Sequence, residues 1–261
     1  MHKIQAVSSA LFLSFLLVLV CFEAEADSFW KLENVNANDQ RVNEVENSID
    51  KCTQALDTIF TEKPSELIII TYGTRSSFVK GLQSKLGFPR KKASYFKNNS
   101  APRPLQGKYL IPPDQELKNI CHEITHHYLE GNAKRKYLLD AKWFDEGTAT
   151  YLADHIFESG DLERGELQLK KIPKEKYYPL NYMEKERQWN ALHKDQRSRY
   201  FAYTQAGLMV EYFFGKFGVS KFQTVLEKMR TAPFKEAFFQ AIGITDDQFY
   251  KDWIASFKKR P

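Results

Sequence analysis

The chain has 261 residues, with 38 Lys and Arg against 33 Asp and Glu, a net charge of +5. The basic residues are scattered among acidic ones, so the mild excess forms no concentrated patch and argues against a nucleic-acid binder. The length is ample for a buried core in one domain or two tightly joined halves.

Residues 1–26 read as a secretory signal. Lys3 gives a weakly positive start, Ala10 to Phe22 is a 13-residue run that is apolar except for Ser14, and Ala24-Glu25-Ala26 fits a cleavage site. The run is too short to span a bilayer comfortably, so no membrane span is expected after cleavage. A lipid anchor at Cys21 is disfavoured, because Val20 precedes it where a small residue is usual. Residues 27–261 then form the mature chain, with a sheet-bearing half over about 27–112 and a helical half over about 113–261. Two cysteines remain in it, Cys52 and Cys121. They either pair in an oxidising compartment or stay as buried thiols, and the sequence leaves both readings open. Asn98-Asn99-Ser100 is a glycosylation sequon.

Val42, Val45, Ile49, Cys52, Leu56 and Ile59 recur at helical spacing and predict a helix over 39–61, ended by Pro64. Glu66 to Tyr72 contains the nearly continuous apolar run Leu67-Ile68-Ile69-Ile70 and predicts a buried strand. Ser76 to Leu86 reads as a short helix closed by Gly87. Arg90 to Pro104 reads as a polar loop, and Gly107 to Ile111 as a short strand leading into the next helix.

That next helix carries the densest chemistry in the chain, His122-Glu123-Ile124-Thr125-His126. Pro112-Pro113-Asp114 gives it a start signal and Gly131 a stop. Residues four apart sit one turn above each other, so His122 and His126 can grip one metal ion, with Glu123 beside them to reach a water on it. Leu117, Ile120, Cys121, Ile124 and Tyr128 form an apolar stripe, with the two histidines predicted on the opposite side, facing a cleft. A third ligand is available in Trp143-Phe144-Asp145-Glu146-Gly147, where Glu146 follows His126 after 19 intervening residues. That gap lets one helix end and a second pack beside it. His, His and Glu form a standard set for a single catalytic zinc with an open fourth position. Such a zinc lowers the pKa of water toward about 7, and Glu123 would take the proton as the water attacks a carbonyl.

The pair H-E-x-x-H and W-x-x-E-G resembles the gluzincin metallopeptidases, close to the M1 aminopeptidase-like branch. The resemblance spans about residues 105 to 218 and is specific at the zinc motifs. The chain has one residue more than that family usually leaves between the second His and the Glu, and the connection from Gly131 to Leu139 is where a loop would absorb it. The resemblance implies a zincin-like domain whose strand before the zinc helix is the sheet edge lining the cleft, able to pair with an extended peptide. It also implies that Tyr203, in Tyr203-Thr204-Gln205-Ala206-Gly207, donates a hydrogen bond to the oxyanion. A core role for Tyr203 is the alternative, and Tyr200 and Tyr212 are its rivals. M1 aminopeptidases hold the substrate amine with a glutamate upstream of H-E-x-x-H. The corresponding stretch here has no acidic residue before Asp114, and Lys108 would repel an amine if it faced the cleft.

The second zinc helix is predicted over about Asp140 to Phe157, with Ala149, Thr150 and Ala153 small enough for close helix approach. His127, His155 and His193 read as surface or packing residues. Residues 158–198 are charge-dense and read as a partly helical, exposed segment, either a solvated insertion or a flap. Tyr200 to Phe217 is the next helix, and three short helices finish the chain, the last opened by the capping box Thr245-Asp246-Asp247-Gln248.

The expectation is an α+β fold, with a small N-terminal mixed sheet packed on a mostly helical zincin-like domain. The expected function is a secreted zinc peptidase acting on peptide or protein substrates, endopeptidase rather than aminopeptidase. His122, His126 and Glu146 are the expected ligands, with Glu123 and Tyr203 catalytic. The rival from another class is a secreted binding module that keeps a zinc site without turning over.

Overall fold

The computed structural model describes residues 29–97, 101–192 and 195–257. Residues 1–26, expected to be a secretory signal, the sequon at Asn98 and His193 lie outside them.

The chain enters on a strand that the sequence does not announce, β1 (Trp30–Val35). Its polar Lys31, Glu33 and Asn34 hide it, and it is only half-buried. Asn38 then caps α1 (Asp39–Asp57), its side chain accepting from the Arg41 amide at 2.8 Å. The predicted stripe Val45, Ile49, Cys52 and Leu56 is fully buried. The apolar run becomes β2 (Leu67–Tyr72), followed by α2 (Arg75–Leu86), whose cap Gly87 has φ 66°. Arg90 to Tyr95, expected as loop, forms α3 (Arg90–Tyr95), and β3 (Lys108–Ile111) closes the half.

The fold is α+β with a mostly helical body, as expected. The sheet, however, is wholly parallel rather than mixed. Its order is β1-β2-β3, with Trp30 opposite Leu67 and Ile68 opposite Lys108. The reason lies in the connections. α1 joins β1 to β2, and α2 with α3 joins β2 to β3, and a helical crossover returns the chain to the same sheet end. A tight turn with Gln106 (φ 54°) and Gly107 (φ 68°) at its centre bonds Leu105 to Lys108 just before β3.

The metal-motif helix is α4 (Leu117–Asn132). It starts three residues later than Asp114, which instead pairs with Arg75 at 2.6 Å. Gly131 is not its stop. It lies in the last turn, where a Cβ would sit 3.1 Å from the Cα of Pro64, so glycine there permits a close approach. Cys52 and Cys121 form a disulfide with their Cα atoms 5.5 Å apart, tying α1 to α4 at the residue before His122.

The short α5 (Arg135–Leu138) fills the connection to α6 (Lys142–Phe157), the second motif helix. Residues 158–198 are partly helical, as expected, but docked rather than solvated. They form α7 (Asp161–Leu169), α8 (Leu180–Glu184) and α9 (Glu186–Ala191), with Met183 and Trp189 buried. The buried amide of Gln205 holds them by accepting from the Tyr178 N–H at 2.9 Å and donating to the Tyr178 carbonyl at 2.8 Å. Gln205 belongs to α10 (Gln196–Lys228), a long element broken at Gly218 (φ 74°). α11 (Phe234–Ile242) and α12 (Asp246–Phe257) complete the body. Only half of the predicted capping box forms: Thr245 Oγ1 accepts from the Gln248 amide, while the Gln248 side chain donates to Asp252.

Trp143 and Phe144 of α6 anchor the helical core. Trp143 stacks on Phe249 at 5.5 Å, and Phe144 packs on Phe222 and Phe234. Behind them α6 meets α10 so closely that a Cβ on Gly147 would lie 2.5 Å from the Ala206 carbonyl oxygen. Among the described residues no helix is long and apolar enough to cross a membrane.

Two outcomes test this packing. Gly147→Ala should lower stability by about 1–3 kcal/mol, despite the roughly 1 kcal/mol that Ala contributes over Gly in a helix, because a backbone carbonyl must move. Reducing the Cys52–Cys121 bond, which closes a loop of 69 residues, should lower stability by about 2–4 kcal/mol. Denaturant midpoints of wild type and Gly147→Ala, and of wild type with and without reductant, measure both.

Candidate metal centre and cleft

Residues His122 and His126 come from successive turns of α4, and Glu146 from the first turns of α6. The Nε2 atoms of the two histidines are 3.2 Å apart, and Glu146 Oε2 lies 3.4 Å from His122 Nε2 and 3.3 Å from His126 Nε2. These three residues are the group among the described residues able to hold a metal ion. The expectation that both histidines face open space is met by His122, which is partly exposed. His126 is 2 % exposed and closed over by α6.

The outer atoms of His126 and Glu146 are also held. His126 Nδ1 shares a hydrogen bond of 2.7 Å with Asp145 Oδ1, and its Nε2 is turned to Glu146 Oε2. Asp145 is 1 % exposed. Its second oxygen, Oδ2, accepts from Lys142 Nζ at 2.8 Å and from Arg103 Nη2 at 2.9 Å. Glu146 Oε1 is held by the same two cations, with Lys142 Nζ at 2.9 Å and Arg103 Nη2 at 2.5 Å. Glu146 is thereby divided, with Oε1 neutralised by fixed cations and Oε2 presented to the histidines.

Burial by itself would raise the pKa values of both carboxyls. The charges of Arg103, His126 and Lys142 outweigh it and hold Asp145 and Glu146 well below the usual carboxylate range. For His126, burial and Arg103 push the pKa down, but Asp145 and Glu146 prevail and raise it.

Outside the ligand triangle lies a cleft of ≈ 360 Å³, lined by His122 and Glu123 of α4, Thr150 of α6, Asp161 of α7, and Tyr203 of α10 among others. Glu123 Oε2 is buried and has no hydrogen-bond partner among the described residues. The Tyr203 ring centroid is 6.0 Å from that of His122. Burial, then the charges of Glu146 and Glu123, push the Tyr203 hydroxyl well above its usual pKa, so it keeps its proton. Of its rivals, Tyr200 lines the cleft at 39 % exposure, whereas Tyr212 packs on Phe249.

Residues lining the cleft come from helices and from the segment Gln115 to Asn119. The edge strand β3 contributes none among the described residues, and Lys108 lies outside the lining. His127 Nε2 donates to the Ser65 carbonyl, and His155 is exposed and stacked on Tyr151, so both take the packing roles expected of them.

Three site residues escape the motif reading. Asp145 was visible in principle, since a metal-facing imidazole needs an acceptor for its other nitrogen and Asp145 adjoins Glu146. Lys142 stands at i−4 from Glu146, a legible helical spacing. Arg103 carries no sequence signal, because only the fold brings its loop to α6.

Glu146→Ala should abolish most metal binding. Asp145→Asn, which cannot orient His126 in the same way, should weaken metal affinity by about 10–100-fold. Competition titration with a chromophoric chelator reads both. Unchanged affinity in Glu146→Ala would remove that residue from the site.

Neither models of known protein families nor curated proteins give a match to this chain.

Proposed function

We propose that this protein is a zinc-dependent peptidase of the gluzincin type. The observation that carries the reading is the ligand triangle, with sides of 3.2, 3.3 and 3.4 Å, beside Glu123 Oε2, which is buried with no partner among the described residues. Tetrahedral zinc with bonds of about 2.0–2.1 Å requires ligand atoms about 3.3–3.4 Å apart, and two imidazoles with one carboxylate suit zinc better than a hard oxygen-seeking ion. The residues present therefore fit the ion. When bound there, zinc supplies Lewis-acid chemistry, acidifying water and polarising a carbonyl.

The chain's own groups supply the rest. Glu123 Oε2 takes the proton of the attacking water and passes it to the leaving amine. Tyr203 Oη donates a hydrogen bond to the oxygen on which negative charge develops. Asp145 holds the Nδ1 proton of His126, and Lys142 with Arg103 keeps Glu146 turned so that one oxygen faces the ligand triangle.

An aminopeptidase needs an unpaired carboxylate for the substrate amine. The acidic residues at the cleft rim, Glu116 and Asp161, are both paired with Lys118, which favours cleavage within a chain. A non-catalytic zinc-keeping module is disfavoured, since the buried, unpartnered Oε2 of Glu123 costs stability and serves no structural purpose. The Cys52–Cys121 bond suits an oxidising compartment and supports secretion through the segment 1–26.

Glu123→Gln should keep its metal and lose about 100-fold or more in peptide hydrolysis. Tyr203→Phe should lower kcat by roughly 10²-fold with metal content unchanged. N-terminally blocked, fluorogenic peptides should be cut at least as well as free ones. Release of single N-terminal residues only from unblocked peptides would instead assign an aminopeptidase.

A further inference from the structure

The face of α10 that lines the cleft presents Gln196, Arg199, Tyr200 and Tyr203, at intervals of three, one and three residues. Arg199 thus stands one helical turn from Tyr203, on the same side. Its charge reaches the Tyr203 hydroxyl, whose pKa it lowers against the larger opposing effect of burial. Arg199 is exposed to the cleft and has no ion-pair partner among the described residues.

The other charges at the cleft rim are compensated. Lys118 pairs with Asp161 and Glu116, and Asp161 also pairs with Arg164. Glu123 is the base of the proposed reaction. Among the described residues Arg199 is therefore the uncompensated cation of the cleft.

A second observation points to a ligand. Gln115 lines the cleft, is 4 % exposed, and its amide Nε2 is buried with no partner among the described residues. Thr150 Oγ1, also in the lining, is likewise buried and unpartnered. A buried donor left unmade costs about 1–3 kcal/mol, and where it lines a cleft a ligand that supplies the acceptor recovers that cost. With Gln115 and Arg199 as donors and Glu123 as the base, the cleft is built to receive acceptor groups, one of them anionic.

We propose that Arg199 is a specificity-determining residue that pairs with a carboxylate of the substrate within about two residues of the bond cut. This rests on the peptidase reading. A guanidinium offers paired donors that match a carboxylate, and lysine would match it less well. The carboxylate belongs either to an Asp or Glu side chain or to the substrate's own C-terminus.

Three sets of N-acetylated, internally quenched peptides separate these sources. One set carries Glu scanned along the chain with an amidated end, one carries Gln at the same places with an amidated end, and one carries Gln with a free C-terminal carboxylate. Wild type should cleave one carboxylate set roughly tenfold better than the Gln amide set, by kcat/KM. The set preferred names the source. Arg199→Gln should abolish the preference with metal content unchanged, and Arg199→Lys should keep part of it. A preference that survives Arg199→Gln, or none in wild type, overturns the proposal.

Binding of the same peptides to the Glu123→Gln protein, followed by fluorescence anisotropy with and without Arg199→Gln, gives a readout independent of turnover. If wild type cuts none of the peptides, the peptidase reading fails, and binding alone decides Arg199. Carboxylate peptides bound roughly tenfold tighter, with the advantage lost in Arg199→Gln and shrinking as salt rises, support the subsite. Equal or absent binding overturns it.

Discussion

Taking a carboxylate out of water costs several kcal/mol unless fixed donors meet its oxygens, and the start of α6 does this twice in succession. Asp145 and Glu146 are 1 % and 5 % exposed, and between them they engage His126, Lys142 and Arg103. Loss of one member leaves buried charge only partly compensated, which is relieved by neutralisation or by water drawn inward. The cluster therefore demands that α4, α6 and the loop before β3 be held in one arrangement.

Much of the surrounding structure is placed to hold it. The Cys52–Cys121 bond ties α1 to α4 one residue before the first ligand. On the far side of α6, Trp143 and Phe144 are buried in aromatic contacts with α10, α11 and α12. Gly147 lets α6 lie directly on the backbone of α10, which brings Tyr203 to the same cleft as His122. The turn at Gln106 and Gly107 folds the segment that carries Arg103 back toward the helices, and an ordinary side chain at Gly107 would be strained there.

Polar groups in the cleft follow the opposite logic from those in the cluster. Asp145 and Glu146 are saturated by partners, whereas Glu123 Oε2, Gln115 Nε2 and Thr150 Oγ1 are buried without any among the described residues. A saturated carboxylate is fixed in place. An unsatisfied one beside it is available to a proton or a substrate group. The two conditions sit side by side at α4 and α6, and under the proposed function they separate holding a metal from handling a substrate.

The helices and the ligand spacing were legible in the sequence, because both depend on local periodicity. His122, Glu123 and His126 share a helix, and Glu146 lies on the next long one, so their convergence needed one packing event between neighbouring helices. The stripe from Val45 to Leu56 and the apolar run of β2 were legible for the same reason. Strand β1 was not, since its alternation is blurred by Lys31, Glu33 and Asn34 at a half-buried edge, although the predicted helix between β2 and β3 already implied one parallel pair. Cys52 and Cys121 left pairing undecided, because sequence does not say which faces of α1 and α4 meet. Arg103 belongs wholly to the tertiary structure. Its loop is 42 residues from Asp145, and what draws it there is the electrostatic need of two buried carboxylates, a need that exists only once the fold has removed them from water.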